Sequence, residues 1–245
     1  MIPILAVIPA RYNSQRFPGK VLVQLGDKPM VQWVYEAAKQ CPAFTKVLVA
    51  TDSAQVAECV QQFGGEVIMT RSDHTTGSDR VAEVAQRYPD MVAVANVQGD
   101  QPFVTPEMLS QLVAPYLQGK LPDMTTLACP LAEADYPNPN SVKVICNQNS
   151  QALYFSRSPI PYYRNPGPAP VFHHLGLYAF RRDFLEIYSH LTPTPLEQCE
   201  GLEQLRVLEH GYPITVCQTS HAVLEVNTPE DLQQAQALIM DQTTL

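Results

Sequence analysis

Ile4-Leu-Ala-Val-Ile-Pro-Ala-Arg-Tyr-Asn-Ser-Gln-Arg-Phe-Pro-Gly-Lys20 is the stretch whose reading decides the fold. Ile4 to Ile8 is an unbroken apolar run, the pattern of a strand buried on both faces of a parallel sheet. Pro9 ends it, and the loop beyond carries three cations, Arg11, Arg16 and Lys20, with no Asp or Glu before Asp27. In open α/β sheets ligands sit at the carboxyl ends of strands, so a cationic, acid-free loop in that place is suited to a phosphate chain. Gly19 allows backbone to approach a ligand, and Ser14 offers a hydroxyl. A solvated basic loop is the plainer alternative. The G-x-x-x-x-G-K-[ST] spacing of a Walker loop is absent.

Outward from that loop, composition narrows the function classes. The 245 residues fit one large α/β domain, read as 1–245 with halves at 1–120 and 121–245. Lys+Arg 16 against Asp+Glu 24 gives a net charge of −8, which speaks against nucleic-acid or anionic-membrane binding. An anionic ligand must then be caught by a local cluster. The six cysteines are scattered without a C-x-x-C pair, as expected of ordinary thiols in a reducing cytoplasm. Met1 to Ile8 lacks the basic flank of a signal peptide, and no run reaches membrane-spanning length, so a soluble cytoplasmic protein is expected.

Strand and helix patterns alternate through the first half. Helices are predicted over Met30–Lys39, from Ser53 as N-cap to Gly64-Gly65, and over Asp79–Tyr88. Strands are predicted over Lys46–Asp52, Glu66–Thr70 and Met91–Val97. That alternation predicts a doubly wound, mostly parallel sheet. The second half is less regular. It holds strands at Met124–Cys129, Val142–Cys146, Ala152–Ser156 and His173–Phe180, with 142–156 forming an inserted hairpin around Asn147-Gln-Asn149. A helix over Arg182–His190 and a longer helical stretch from Thr194 to Glu209 follow. Late strands are expected at Ile214–Cys217 and Val223–Val226. Thr228-Pro-Glu-Asp231 reads as the capping box of a final helix.

Asp100 follows the fourth strand in Gln98-Gly-Asp100, where a hard cation bridging phosphates would need an oxygen ligand. A turn aspartate is the simpler reading. Ser78-Asp79 can equally cap a helix. By spacing alone Glu203 and Gln204 read as a solvated helix face. A planar guanidinium such as that of Arg157 can bond both oxygens of a carboxylate. His173-His174 is too isolated a pair to read as a metal site.

Several of these stretches resemble one family. Ile8-Pro-Ala-Arg-Tyr-Asn-Ser-Gln-Arg-Phe-Pro-Gly-Lys20 is similar to the IPARxxSxRxPGK signature of the sugar-acid cytidylyltransferases, most closely those acting on 3-deoxy-manno-octulosonate (KDO). Gln98–Pro102 resembles QGDEP, with Gln101 in place of the commoner glutamate. Thr75–Arg80 stands where the family reads SGTER. Leu153–Pro161 resembles ALYFSRxxIP, and His174–Tyr178 and Leu202–Arg206 resemble HLGIY and LEQLR.

The resemblance implies a nucleotide-sugar transferase (GT-A-like) fold, with 1–120 mainly nucleotide-binding and 121–245 mainly sugar-binding and dimerisation, and CTP-dependent activation of a 3-deoxy-2-ulosonic acid, in service of lipopolysaccharide or capsule synthesis. It implies catalytic roles for Arg11, Lys20 and Asp100. Nucleotide contacts would come from Ala10, Arg11, Ser14, Arg16, Lys20, Ser78, Arg80 and Gln98, and sugar contacts from Arg157, His174, Tyr178, Glu203 and Gln204. Mg2+ is the implied cofactor, with Asp100 as ligand. The second ligand position, an aspartate in the family's VDTPEDL, is Asn227 here, whose amide oxygen would hold magnesium more weakly. A homodimer built through the hairpin region is implied as well. Gln101, Ser78 and Asp79 keep the 8-amino analogue of KDO open as substrate. A sialic-acid-type cytidylyltransferase and a catalytically impaired nucleotide-binding relative remain alternatives.

Overall fold

In the computed structural model residues 2–12, 17–165, 170–222, 224–226 and 228–243 are described. The chain divides into two units, Met1–Ser110 with Val223–Leu245, and Gln111–Ala222.

The first unit is built on β1 (Ile4–Pro9), all six residues of which are buried. The 3-10 turn Lys20–Leu22 and a small hairpin, β2 (Gln24–Leu25) and β3 (Lys28–Pro29), lead into α1 (Met30–Gln40). Met30, Val31, Val34, Tyr35 and Ala38 form its buried stripe. β4 (Lys46–Thr51) follows, then α2 (Ala54–Gln62), whose first turn is capped by the Ser53 hydroxyl accepting from the Val56 N–H at 3.4 Å. After α2 the chain turns through Gly64, whose φ of +79° a side chain would strain. β5 (Val67–Met69), α3 (Gly77–Ala85) and β6 (Ala93–Asn96) complete the alternation. β1 pairs in parallel with β4 and with β6, and β4 with β5, so the order is β6-β1-β4-β5. This is the mixed α/β fold with a mostly parallel central sheet that the alternation predicts.

α4 (Pro106–Leu117) carries the chain from the first unit into the second. No element was predicted there, although Thr105-Pro106-Glu107 repeats the Thr228-Pro229-Glu230 pattern and the Thr105 hydroxyl accepts from the Met108 N–H at 3.2 Å. Pro115 interrupts the helical pattern and lies in the last turn of α4, where it lacks the N–H that would bond the Gln111 carbonyl.

The second unit holds β7 (Met124–Pro130), β8 (Lys143–Cys146), β9 (Ala152–Ser156) and β10 (Phe172–Arg181), then α5 (Arg182–Tyr188), α6 (Pro195–Glu200), α7 (Gln204–Glu209) and β11 (Ile214–Gln218). Its sheet runs β11-β7-β10-β8-β9, antiparallel except for the parallel β11–β7 pair. The predicted hairpin is β8–β9. The predicted single helix from Thr194 to Glu209 is two helices. Gly201 ends α6 at φ 62°, in the left-handed region, and the chain re-enters helix at Gln204.

The chain returns to the first unit with α8 (Pro229–Thr243). Its entry is the predicted capping box, in which the Thr228 N–H donates to Asp231 Oδ2 at 2.8 Å and the Asp231 N–H to Thr228 Oγ1 at 3.2 Å. Ala235 and Ile239 pack with Leu25, Met30 and Val226 in one buried cluster. Leu224 to Val226, predicted as strand, lie in none. Instead the Val226 N–H donates to the Asp100 carbonyl at 3.0 Å.

Candidate active site

Within the first unit the cationic loop and the turn after β6 meet. Lys20 Nζ lies 2.6 Å from Asp100 Oδ2, joining residues 80 apart in sequence. Lys20 is placed by Gly19, whose φ of +70° and hydrogen bond to the Tyr12 carbonyl (2.7 Å) bend the loop before the 3-10 turn. Asp100 follows Gly99, where a Cβ would stand 3.0 Å from the Pro9 carbonyl oxygen, so a side chain there would press on the end of β1. Arg11 donates from Nη1 to the Thr75 carbonyl at 3.1 Å, which ties the cationic loop to the segment before α3.

Those of the remaining predicted nucleotide residues that are described have protein partners. Ala10 is fully buried and its N–H donates to the Ala50 carbonyl at 2.9 Å. Ser78 is buried and accepts from Asn96 Nδ2 at 3.1 Å, while Gln98 Nε2 reaches Asn96 Oδ1 at 3.5 Å. Asp79 completes a capping box with Thr76, accepting from the Thr76 N–H at 3.0 Å. Arg80, 0% exposed, donates from Nη1 to Thr70 Oγ1 and lies 3.3 Å from Asp52 Oδ2, clasping the ends of β4 and β5. Gln101, 1% exposed, donates to Glu225 Oε1 at 2.8 Å. Ser14, Arg16 and Asn227 lie outside the described residues.

Among the described residues no three of His, Cys, Asp and Glu gather closely enough to hold a metal ion. Asp100 supplies one hard oxygen donor, which fits magnesium when nucleotide phosphates and water fill the rest of its shell.

Within the second unit four of the five predicted sugar residues fall on β10 and at the start of α7. Tyr178 Oη donates to Gln204 Oε1 at 3.0 Å, and Gln204 Nε2 stands 3.4 Å from His174 Nδ1. His174 Nε2 is 2.9 Å from Thr126 Oγ1, and the Thr126 hydroxyl donates to the Leu177 carbonyl at 2.8 Å. Burial drives the His174 pKa down to about 3, so its ring is neutral at pH 7. Glu203 Oε2 accepts from Tyr188 Oη at 3.3 Å. The break at Gly201 thus turns Gln204, 1% exposed, inward rather than leaving it on a solvated face.

Arg157 is held from three sides. Its Nε donates to the Glu200 carbonyl at 2.8 Å and its Nη1 to the Pro139 carbonyl at 3.1 Å. The Glu200 carboxylate accepts from the Arg157 N–H at 2.9 Å and from Ser156 Oγ at 2.6 Å. Lys143 Nζ donates to the Arg157 carbonyl at 2.8 Å and the Asn138 carbonyl at 2.6 Å. Burial lowers the Lys143 pKa, with the Glu200 charge opposing that shift. Glu200 and Thr126 were missed in the sequence because their partners lie 43 or more residues away, and Lys143 because its partners are backbone carbonyls, which no residue type marks.

Cations and a carboxylate lie past the strand ends of this parallel α/β sheet, and the class is given by the family profile described as cytidylyltransferase, which matches residues 5–217. The 3-deoxy-manno-octulosonate cytidylyltransferase of Acaryochloris marina is 67% identical over 242 residues, covering 98% of this chain and 99% of that protein. The enzyme of the same name from Synechococcus elongatus is 56% identical, covering 97% and 98%. A solved structure of CMP:2-keto-3-deoxy-manno-octonic acid synthetase complexed with CTP superposes with a TM-score of 0.93 at 41% identity, covering 98% of this chain and 99% of that one. The chain belongs to the 3-deoxy-manno-octulosonate cytidylyltransferase family.

Proposed function

We propose that this protein transfers CMP from CTP to KDO, releasing pyrophosphate, in the supply of an activated sugar for lipopolysaccharide or capsule. The observation that carries the reading is the Lys20–Asp100 pair at 2.6 Å, which joins the cationic loop after β1 to the turn after β6, while Arg11 of the same loop donates to the Thr75 carbonyl. The pair joins a phosphate-binding cation to a metal-binding carboxylate, and the relative solved with CTP shares this fold throughout.

In the mechanism the sugar's anomeric hydroxyl oxygen attacks the α-phosphorus and gives its proton to water, the bond from that phosphorus to the oxygen bridging the β-phosphate breaks, and pyrophosphate leaves. No covalent enzyme intermediate is needed, since positioning and charge neutralisation supply the catalysis. Lys20 and Arg11 stabilise the triphosphate and the charge growing on pyrophosphate, with Ser14 and Arg16 of the same loop in support. Magnesium held by Asp100 and nucleotide oxygens, with Asn227 as a neutral second ligand, would offset the remaining phosphate charge. Arg157 receives the sugar carboxylate, while His174, Tyr178, Glu203 and Gln204 orient the sugar hydroxyls.

Gln101, Ser78 and Asp79 depart from the family pattern and each has a partner inside the protein, and relatives 67% and 56% identical that carry the KDO enzyme's name support KDO over its 8-amino analogue. A homodimer through the β8–β9 region is supported by Leu153 and Tyr162, 58% and 90% exposed. A cytoplasmic setting is supported by the free thiols of all six cysteines, and no described helix is long and apolar enough to cross a membrane. Pyrophosphate release measured with CTP and KDO, the 8-amino analogue or sialic acid tests the reading. KDO should be turned over at least tenfold faster than either rival, and a preference for another sugar would replace the substrate.

A further inference from the structure

The hydrogen bonds around His174 have a direction, and a backbone carbonyl sets it. A carbonyl oxygen only accepts, so the single hydroxyl proton of Thr126 is committed to Leu177 O at 2.8 Å. The Thr126 oxygen, 2.9 Å from His174 Nε2, must therefore accept, and Nε2 must carry a proton. A neutral imidazole has one N–H, which leaves Nδ1 bare and able only to accept. The group facing Nδ1 at 3.4 Å is then the amide nitrogen of Gln204, and Gln204 presents its oxygen to Tyr178, whose hydroxyl donates at 3.0 Å. The assignment of the amide atoms thus follows from the carbonyl rather than from the choice between two similar orientations. Thr126, His174 and Gln204 are all nearly or fully buried, so water cannot readily substitute for a missing partner.

We propose that Thr126 is a positioning residue for the sugar-acid site: by committing its proton to Leu177 it fixes the tautomer of His174, the face of the Gln204 amide and the donor direction of Tyr178. This rests on the reading of His174, Tyr178 and Gln204 as sugar contacts. Its consequence is chemical. Tyr178 spends its only proton inside the protein, so a ligand group that meets its oxygen must donate, which suits a sugar hydroxyl and rejects a carboxylate. The carboxylate end of the sugar acid is thereby directed elsewhere in the site.

The test uses the full chain with 15N-labelled histidine, the His174 signals being assigned by their loss in His174→Gln. At pH 7 His174 should show a protonated Nε2 and a bare Nδ1. Thr126→Val should disturb that pattern and raise the KM for KDO at least tenfold with the KM for CTP within twofold, while Thr126→Ser should restore both. A protonated Nδ1 in the wild-type protein, or an unchanged KDO KM in a folded Thr126→Val protein, would overturn the proposal. If Thr126→Val does not fold, the wild-type spectrum and the kinetics of Thr126→Ser decide. Should Gln204→Ala and Tyr178→Phe leave the KDO KM unchanged, the sugar-site reading itself fails, whatever the tautomer.

Discussion

Lys20 cannot hold both Asp100 and a phosphate at full strength, so the nucleotide must compete for it. The two side chains are 11% and 25% exposed and 2.6 Å apart. Unit charges about 4 Å apart attract by ~4 kcal/mol at an effective dielectric near 20. Desolvation and ordering cancel much of that, leaving ~1–2 kcal/mol in a partly exposed pair. Asp100→Asn should release Lys20 and tighten metal-free CTP binding by about tenfold. The same change should lower magnesium-supported turnover by about a hundredfold or more, because the metal's carboxylate is gone. Calorimetric CTP titration in EDTA reads the first effect and pyrophosphate release the second. Removing a negative charge would favour a triphosphate in any case, so the decisive comparison is a double-mutant cycle with Lys20→Ala. If the gain from Asp100→Asn survives intact when residue 20 is alanine, the competition argument is refuted.

Glu200→Gln places an amide donor against either the Arg157 N–H or the Ser156 hydroxyl, so Arg157 should lose its placement. The KM for KDO should rise about tenfold with the CTP KM unchanged, and an equal rise in both would contradict the assignment. His174 has a folded pKa of about 3, below its unfolded value, so its contribution to stability is complete above pH ~6.5 and is lost as the pH falls toward 3. Between pH 7 and 5 that loss is ~2 kcal/mol, which urea unfolding should show in the wild type and which should shrink in His174→Gln. His173, also lowered by burial, will keep part of the acid sensitivity. Asn227→Asp should lower the magnesium concentration for half-maximal rate about tenfold by restoring a charged ligand, and an unchanged magnesium dependence at unchanged rate would place residue 227 outside the metal shell.

The parallel half of the fold was legible because its signals are local. The apolar run of β1, the Ser53 cap of α2 and the Thr228 box of α8 each depend on residues within a turn or two. α4 carried the same kind of cap at Thr105, but a proline in its last turn masked it. The Thr194–Glu209 break was harder, since a lone glycine is tolerated within many helices and only the φ at Gly201 shows that the chain turns. In the site, the residue types of the cationic loop and Asp100 suggested their chemistry, whereas the contact between Lys20 and Asp100 depends on packing across 80 residues. Arg80 shows the converse limit. Its place among the nucleotide contacts came from the family resemblance alone, and its guanidinium is buried against Thr70 and Asp52, which no local pattern announces. Thr126 and Glu200 look like an ordinary strand threonine and an ordinary helix glutamate until their distant partners are known.

The central claim is that CMP passes from CTP to the sugar acid. CTP labelled with 32P at the α-phosphate, incubated with the protein, KDO and magnesium, tests it most directly. The account predicts that the label appears in a sugar-linked product in step with release of unlabelled pyrophosphate, and that omitting KDO abolishes both. Label that stays in CTP, or appears as free CMP or CDP regardless of KDO, would contradict it.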